Sequence, residues 1–322
     1  DYAVTGVQTC ALPILLLLKG VIDCPDLPLN VSRSFLQNDG FVKKISTYIT
    51  KKVADKLSGL FKTDRESYES FWDDISPFIK FGGLKDDKFY ESVEKSYLFK
   101  TLYGKYVTLD EYLAQAEGKH DQKVFYVSDD RQQAQYINLF KEHDLDAVIL
   151  THSIDTPFIS MLESKVENIS FARIDADLNE HLKADEHFTE EEKTHAFEKL
   201  ESMFKDALQV EKLNLKLEAM KTEDLSAIVV LSEESRRMQD MMRMYGMAGM
   251  NPDMFKTETT LILNSKNTLV KHLIENEDIS DEDRKLICEH LYDLAMLSHT
   301  PLSPEAMTKF IKRNNALMLK LI

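Results

Sequence analysis

Between Val124 and Arg173 the sequence swings twice from a short apolar run to an amphipathic stretch and back, a rhythm few folds accommodate. Val124–Val127 is a four-residue apolar run, and Ala134, Ile137 and Phe140 then recur at helical spacing. Ala147–Leu150 is a second run, a helix is expected after Pro157, and Ile169–Arg173 reads as a third strand. Strand, helix, strand, helix, strand within about fifty residues predicts a small α/β layer with right-handed crossovers.

Helical spacing dominates elsewhere. In Phe41–Leu60, Val42, Ile45, Ile49, Val53 and Leu57 form one apolar face, with Lys43, Lys44, Lys51, Lys52 and Lys56 mostly on the wet side. Thr63-Asp-Arg-Glu66 has capping-box spacing and should open a second helix through Phe71 and Trp72. Gly82-Gly83 is expected to break the chain before a third helical stretch around Phe89–Leu98. Thr108-Leu-Asp-Glu111 should cap a short helix. The charged run from Asp185 to Lys193 reads as a linker, within which Thr189-Glu-Glu-Glu192 caps a helix carrying Phe197, Leu200 and Phe204. Ala227–Leu231 and Thr259–Leu263 read as strands flanking a methionine-rich segment, and the last fifty residues or so read as helical. No repeat of fixed period is present.

Composition bounds the function. Hydrophobic residues make up 43% of the 322, enough for a sizeable core. Forty Lys and Arg against 55 Asp and Glu leave a net charge of −15, which argues against a general binder of nucleic acid or anionic membrane. Ala11–Leu18 is apolar but contains Pro13 and stops at Lys19, short of the ~20 residues a membrane span needs. No basic region precedes it as a signal peptide would require. The chain opens on Asp1 rather than Met, and residues 1–14 read unlike all that follows, so they are expected to be a non-native leader. The ten glycines form neither GxxxxGK[ST] nor GxGxxG, the two common phosphate-cradling loops. Cys10, Cys24 and Cys288 lie far apart with no CxxC pair, which fits a reducing cytoplasm.

Several constellations suggest chemistry and fail on spacing. His152, Ser153 and Asp155 hold the letters of a nucleophilic triad, but neighbours in one loop cannot adopt its geometry, and they read as the polar end of a strand. His181, His187 and His195 stand six and eight apart, where a metal-binding helix needs i,i+3 or i,i+4, so no metal site is expected. Three features remain. Pro28 with the caps Asn30 and Ser32 suggests a loop entering a helix start, where amides and Arg33 can meet an anionic group, although a loop arginine is most often merely solvated. Seven of thirteen methionines fall between Met238 and Met254: Met238, Met241, Met242, Met244, Met247, Met250 and Met254. Met238, Met241, Met242 and Tyr245 share a helical face, with Arg236, Arg237 and Arg243 interleaved. A methionine stripe is usually core, yet such density suits promiscuous apolar binding, and the residues alone leave the two readings evenly matched.

The third feature is the chain's final hairpin. Ser280 should cap a helix with the stripe Ile287, Leu291, Leu294 and Leu297; Ser303 should cap the next, with Pro304 in its first position. That second helix carries Met307, Phe310, Ile311, Leu317, Met318 and Leu321. So apolar a hairpin is expected to pair with a second copy as a four-helix bundle, a twofold homodimer. The expected interface is Ile287, Leu291, Leu294, Met307, Phe310, Ile311, Leu317 and Leu321.

The segment Gly20-Val-Ile-Asp23-Cys-Pro-Asp26-Leu-Pro-Leu-Asn30-Val-Ser-Arg33-Ser-Phe-Leu-Gln37 closely resembles the catalytic-loop signature of the bacterial ninety-kilodalton heat-shock chaperone family. The resemblance continues through Ser76-Pro-Phe-Ile-Lys-Phe-Gly82, Tyr97–Leu113, Val124-Phe-Tyr-Val-Ser128 and Leu150-Thr-His-Ser-Ile-Asp155. It takes in Arg236-Arg-Met-Gln-Asp-Met-Met242 and Thr260-Leu-Ile-Leu-Asn264, and spans about Leu15 to Ile322. It implies a cytoplasmic, homodimeric stress-response chaperone that uses ATP and Mg and binds unfolded or partly folded clients. The family's nucleotide pocket lies in an N-terminal domain expected to be absent here, so this stretch alone should neither hold a cofactor nor hydrolyse ATP. By residue match, Arg33 would reach the ATP γ-phosphate, with Gln37 its polar companion and Asn30 setting the loop. The methionine-rich segment falls where the family carries a client-contacting helix, which implicates Met238, Met241, Met242, Tyr245, Met247, Met250 and Met254.

The expected fold is therefore an α+β or α/β multidomain chain. Residues 15–60 would be the remnant of an αβα sandwich with the catalytic loop, and 61–104 a helical connector. Residues 105–185 would be the small α/β layer, and 186–322 a mixed C-terminal client-contact and dimerisation domain ending in the helical hairpin. The rival reading is a dimeric protein-binding scaffold that works without ATP.

Overall fold

One residue, Asp64, separates the first two long helices, and its side chain explains why the chain turns there. The computed structural model describes residues 40–120, 122–176, 182–185, 188–210, 213–231, 259–276, 278–298 and 302–320. Helix α1 spans Gly40–Thr63 and α2 spans Arg65–Lys85. The Asp64 carboxylate accepts from the Ser67 amide at 3.2 Å, so the cap of α2 is Asp64 and not Thr63. Thr63 instead closes α1 by donating its hydroxyl to the Gly59 carbonyl. All five lysines named on α1 are exposed.

Gly82 and Gly83 do not break α2, which runs on to Lys85. A Cβ on Gly82 would lie 2.8 Å from a Phe89 ring carbon, and one on Gly83 would collide with the Tyr97 hydroxyl. These glycines let two rings close against the helix backbone, a tertiary reason for glycine rather than a helix-ending one. The stop is Asp86, which bonds the amides of Lys88 and Phe89 and starts α3, Asp87–Val93. The third helix is thus shorter than the sequence suggests, ending in a 3₁₀ turn at Glu94–Ser96.

An antiparallel pair follows, β1 (Phe99–Lys100) and β2 (Tyr106–Val107), turning through Gly104 at φ +73°. Helix α4, Leu109–Ala116, has the full Thr108–Glu111 capping box. The strand–helix alternation is present as β3 (Lys123–Val127), α5 (Ala134–Glu142), β4 (Val148–Ile149), α6 (Asp155–Lys165) and β5 (Ser170–Arg173). Its sheet runs in the order β4–β3–β5. Helix α6 begins at Asp155, before Pro157, because proline is tolerated within the first turn where its missing amide has no partner to lose.

Helix α7, Glu190–Leu208, is held by the Thr189–Glu192 capping box. A three-stranded sheet then forms from β6 (Asn214–Glu218), β7 (Ala227–Leu231) and β8 (Thr259–Asn264) in the order β6–β8–β7. The β6–β8 pair is parallel and the β7–β8 pair antiparallel. Strand β6 is absent from the sequence reading. Leu215, Leu217, Val229, Leu261 and Leu263 pack with Leu200 and Phe204 of α7 and with Cys288, Leu291 and Ala295. Three further helices follow: α8 (Thr268–Glu275), α9 (Asp281–Leu297) and α10 (Pro304–Leu319).

The fold is a mixed α+β arrangement in two compact units, one of residues 1–124 and 148–171, the other of 125–147 and 172–322. No described helix is long and apolar enough to cross a membrane.

Candidate functional site

The sequence-predicted phosphate-contacting residues Asn30, Arg33 and Gln37 lie outside the described residues. So do Met238, Met241, Met242, Tyr245, Met247, Met250 and Met254, as well as His181 and His187. His195 is exposed on α7. Two other regions carry built chemistry.

The first joins two of the segments that carry the family resemblance. Residues Tyr68, Trp72, Ser76, Ile79, Lys80 and Gly83 recur at three- and four-residue spacing, so α2 presents them on one buried face. Lys80 therefore points its charge inward. Its Nζ lies 2.5 Å from Asp155 Oδ1, with the two side chains only 5% and 3% exposed. The second Asp155 oxygen accepts from the His152 backbone amide at 2.9 Å, and the Lys80 ammonium sits 5.6 Å from the Phe158 ring centroid. Asp155 is thus the first residue of α6 and a buried ion-pair partner, not the polar end of a strand. Its carboxylate answers Lys80 and an amide rather than an imidazole, so the triad letters form no triad.

A cavity of about 290 Å³ borders this pair, lined by Trp72, Ser76, Leu98, Leu150 and His152 among others. At its edge Lys100 Nζ meets Asp73 Oδ2 at 2.6 Å. Burial pushes the Asp73 carboxyl up, but the bonds from Lys100 and Tyr106 outweigh it and hold the group below its ordinary value. Both cations here are matched by carboxylates: Lys80–Asp155 ties α2 to α6, and Lys100–Asp73 ties α2 to β1.

The second region is the terminal hairpin. Ser280 caps α9 by accepting from the Asp283 amide at 3.1 Å; Ser303 caps α10 through the Ala306 amide at 3.2 Å, with Pro304 in the first turn. Arg313 fixes the two helices together, 2.7 Å from Glu289 Oε2 and 2.6 Å from Asp293 Oδ2. The His290 ring stacks on Phe310 with centroids 5.0 Å apart and planes within 2°. Burial first, then the Arg313 charge, lowers the His290 pKa below its ordinary value. Lys320 pairs with Asp283 at the hairpin's open end.

This hairpin divides the predicted interface. Leu291 is 2% exposed and belongs to the chain's own core, against which Ile287 also packs, so Leu291 offers no surface to a partner. The reason is the second sheet: the same stripe that faces α10 on one edge meets β7 on the other. Leu294 is 43% exposed and Ile311 52%, while Met307, Phe310 and Leu317 are half-buried. Leu321 lies outside the described residues. Met318 and Leu319, at 55% and 72%, extend the apolar surface beyond the expected set. No residue of α10 is buried. Arg313, the hairpin's electrostatic pin, carried no signal in its own helix, since both acids it binds sit on the other one. Cys288 lies beneath this layer, and burial pushes its thiol up to about 12, an inert core position.

Similarity to known proteins extends over nearly the whole chain. The family model described as Hsp90 protein matches residues 11–322. A protein of Bacteroides fragilis (strain YCH46) named "Chaperone protein htpG" is 37% identical over 293 residues, covering 86% of this chain and 42% of the relative. The "Chaperone protein HtpG" of Porphyromonas gingivalis (strain W83) is 35% identical over 293 residues, 87% of this chain and 42% of its own length. That of Paraburkholderia xenovorans (strain LB400) is 30% identical over 317 residues, 94% of this chain and 48% of the relative. The chain thus spans less than half the length of the curated relatives it matches.

Proposed function

The chain belongs to the Hsp90 family, and from that premise we propose that it forms the middle and C-terminal parts of an ATP-dependent cytoplasmic chaperone that assists protein folding under stress. The observation that carries the reading is the family match over residues 11–322, together with relatives named as chaperone proteins. In this reading residues 15–60 carry the loop that serves the nucleotide, 61–104 are a connector, and 105–185 form a small α/β part. Residues 186–322 then serve clients and dimerisation.

Arg33, Gln37 and Asn30 would contact the γ-phosphate of ATP held with Mg by a nucleotide-binding domain. An arginine there stabilises charge that develops as the phosphoryl group leaves. This role rests on sequence alone. Dimerisation is assigned to α9 and α10, and the support is physical. Leu294, Ile311, Met318 and Leu319 stand on one hairpin, 43% to 72% exposed. Exposed apolar side chains gathered on one hairpin fit an association surface. Clients are assigned to Met238, Met241, Met242, Tyr245, Met247, Met250 and Met254, whose flexible thioethers fit many apolar shapes.

The test is suppression of client aggregation by the 322-residue chain, with Met241→Ser and Met242→Ser combined. A client-binding surface should lose suppression while the thermal midpoint stays within a few degrees of the parent. If the pair is core, it should cost roughly 2–5 kcal/mol per site, and suppression by the folded fraction should be unchanged. That second outcome would return the stripe to the core and remove the client assignment.

A further inference from the structure

In a chain of net charge −15, one cleft collects lysines. It runs between the C-terminal end of α7, α9 and α10, with a volume of about 600 Å³. Lys285, Lys309 and Lys312 line it, all exposed and without an ion-pair partner among the described residues. Its acids, Glu289 and Asp293, both bond Arg313, and the lining as a whole sets four cations against two carboxylates. The uncompensated charge of the cleft is therefore positive.

Ala207 and Lys285 also line an adjoining cleft of about 610 Å³, where Arg284 sits. Arg284 donates to Asp281 and to the Ile279 carbonyl, but its Nε is buried and finds no acceptor among the described residues. Between the cations the lining is apolar and half-buried: Leu208, Leu286 and Ala316, with Met203 in the adjoining cleft.

We propose that these joined clefts dock an acidic amphipathic segment of another polypeptide. Its carboxylates would pair with the exposed Lys285, Lys309 and Lys312, and its apolar side chains would lie on Leu208 and Leu286. Charge complementarity selects the occupant: here, unlike on the lysine-rich face of α1, exposed cations line a concave surface that also offers apolar side chains. Apolar lining without an exposed aromatic favours peptide over nucleic acid, which needs rings for its bases to stack on. The cleft's α10 residues face away from Ile311 and Met318 of the surface assigned to dimerisation, while Leu319 borders Lys312. At about 100° per residue, Lys309, Lys312 and Ala316 lie roughly 100–160° around α10 from Ile311.

The experiment is fluorescence anisotropy of the 322-residue chain with a fluorescein-labelled peptide of Glu-Leu-Ala-Glu repeats, at low salt. The proposal expects saturable binding that weakens about tenfold in the triple variant Lys285→Gln, Lys309→Gln, Lys312→Gln, as loss of three exposed charge contacts should. These lysines are solvent-exposed, so the variant should melt as the parent does. The control variant Lys43→Gln, Lys51→Gln, Lys52→Gln, on exposed α1 lysines, should bind within about twofold of the parent. Four results would overturn the proposal: no saturation by the peptide, equal weakening in both triples, equal binding of a Gln-Leu-Ala-Gln peptide, or tighter binding of labelled oligothymidylate with the same lysine dependence.

Discussion

Helices α2 and α10 carry the same kind of apolar stripe and meet opposite fates. The 21 residues of α2 include seven that are buried, and the 16 of α10 include none. Around α2 the chain supplies its own cover: Trp72 and Tyr97 rings lie 6.4 Å apart at 83°, and Tyr97 and Phe158 lie 4.8 Å apart. Around α10 it supplies only one side, the His290 stack and the Arg313 bridges, and leaves Ile311 and Met318 more than half exposed. Burying an aliphatic side chain is worth about 1.5–3 kcal/mol, so α2 draws its stability from inside the chain. Helix α10 retains apolar surface whose burial remains available to a partner. A helical stripe states which face will be apolar; it does not state what covers it.

The contrast breaks first at α2 if its interior is less committed than it looks. Phe158 is fully buried against Tyr97, and Phe158→Ala should cost about 3–5 kcal/mol by denaturant unfolding. A loss under about 1 kcal/mol would mean the ring cluster tolerates a large void, and α2 would then be no better finished than α10.

The ion pair sharpens the same comparison. Lys80→Met leaves Asp155 buried without its cation and should cost about 3 kcal/mol. Adding Asp155→Leu should recover most of that loss, because a well-packed apolar pair can replace a buried ion pair. Failure of the second change to recover stability would show that Lys80 or Asp155 serves something besides the clamp, with the adjoining cavity the place to look.

How much of this was legible follows from distance along the chain. The capping boxes at Thr108 and Thr189 are local, three residues from cap to partner, and both form as read. Strand β6 escaped because Leu215 and Leu217 alternate for only five residues, and its partner β8 comes more than forty residues later. The Lys80–Asp155 bond spans 75 residues, and nothing near either end announces it. Gly82 and Gly83 were misread because a glycine that admits a distant ring looks the same in sequence as one that ends a helix. Leu291 and Leu294 stand three apart on one stripe, yet one is 2% exposed and the other 43%. Periodicity placed both on the apolar face; only the second sheet decides which of them it covers. The expected phosphate-contacting and client-contacting residues rest on the family resemblance and fall outside the described residues.

The smallest effect on subunit stability should come from α10. Ile311→Ser with Met318→Ser changes side chains that are 52% and 55% exposed, and each should shift the stability of the single subunit by no more than about 0.5 kcal/mol. The association should respond far more. If α9 and α10 hold two copies together, the parent scatters light as twice 37.1 kDa and the variant as 37.1 kDa. The parent's melting temperature should also rise with protein concentration, since a partner that binds only the folded form stabilises it by mass action, while the variant's should not. Measuring both across a dilution series separates lost association from lost packing. A variant that melts several degrees lower at every concentration, with its mass unchanged, would place Ile311 and Met318 in a core the chain provides for itself, and α10 would differ from α2 in degree only.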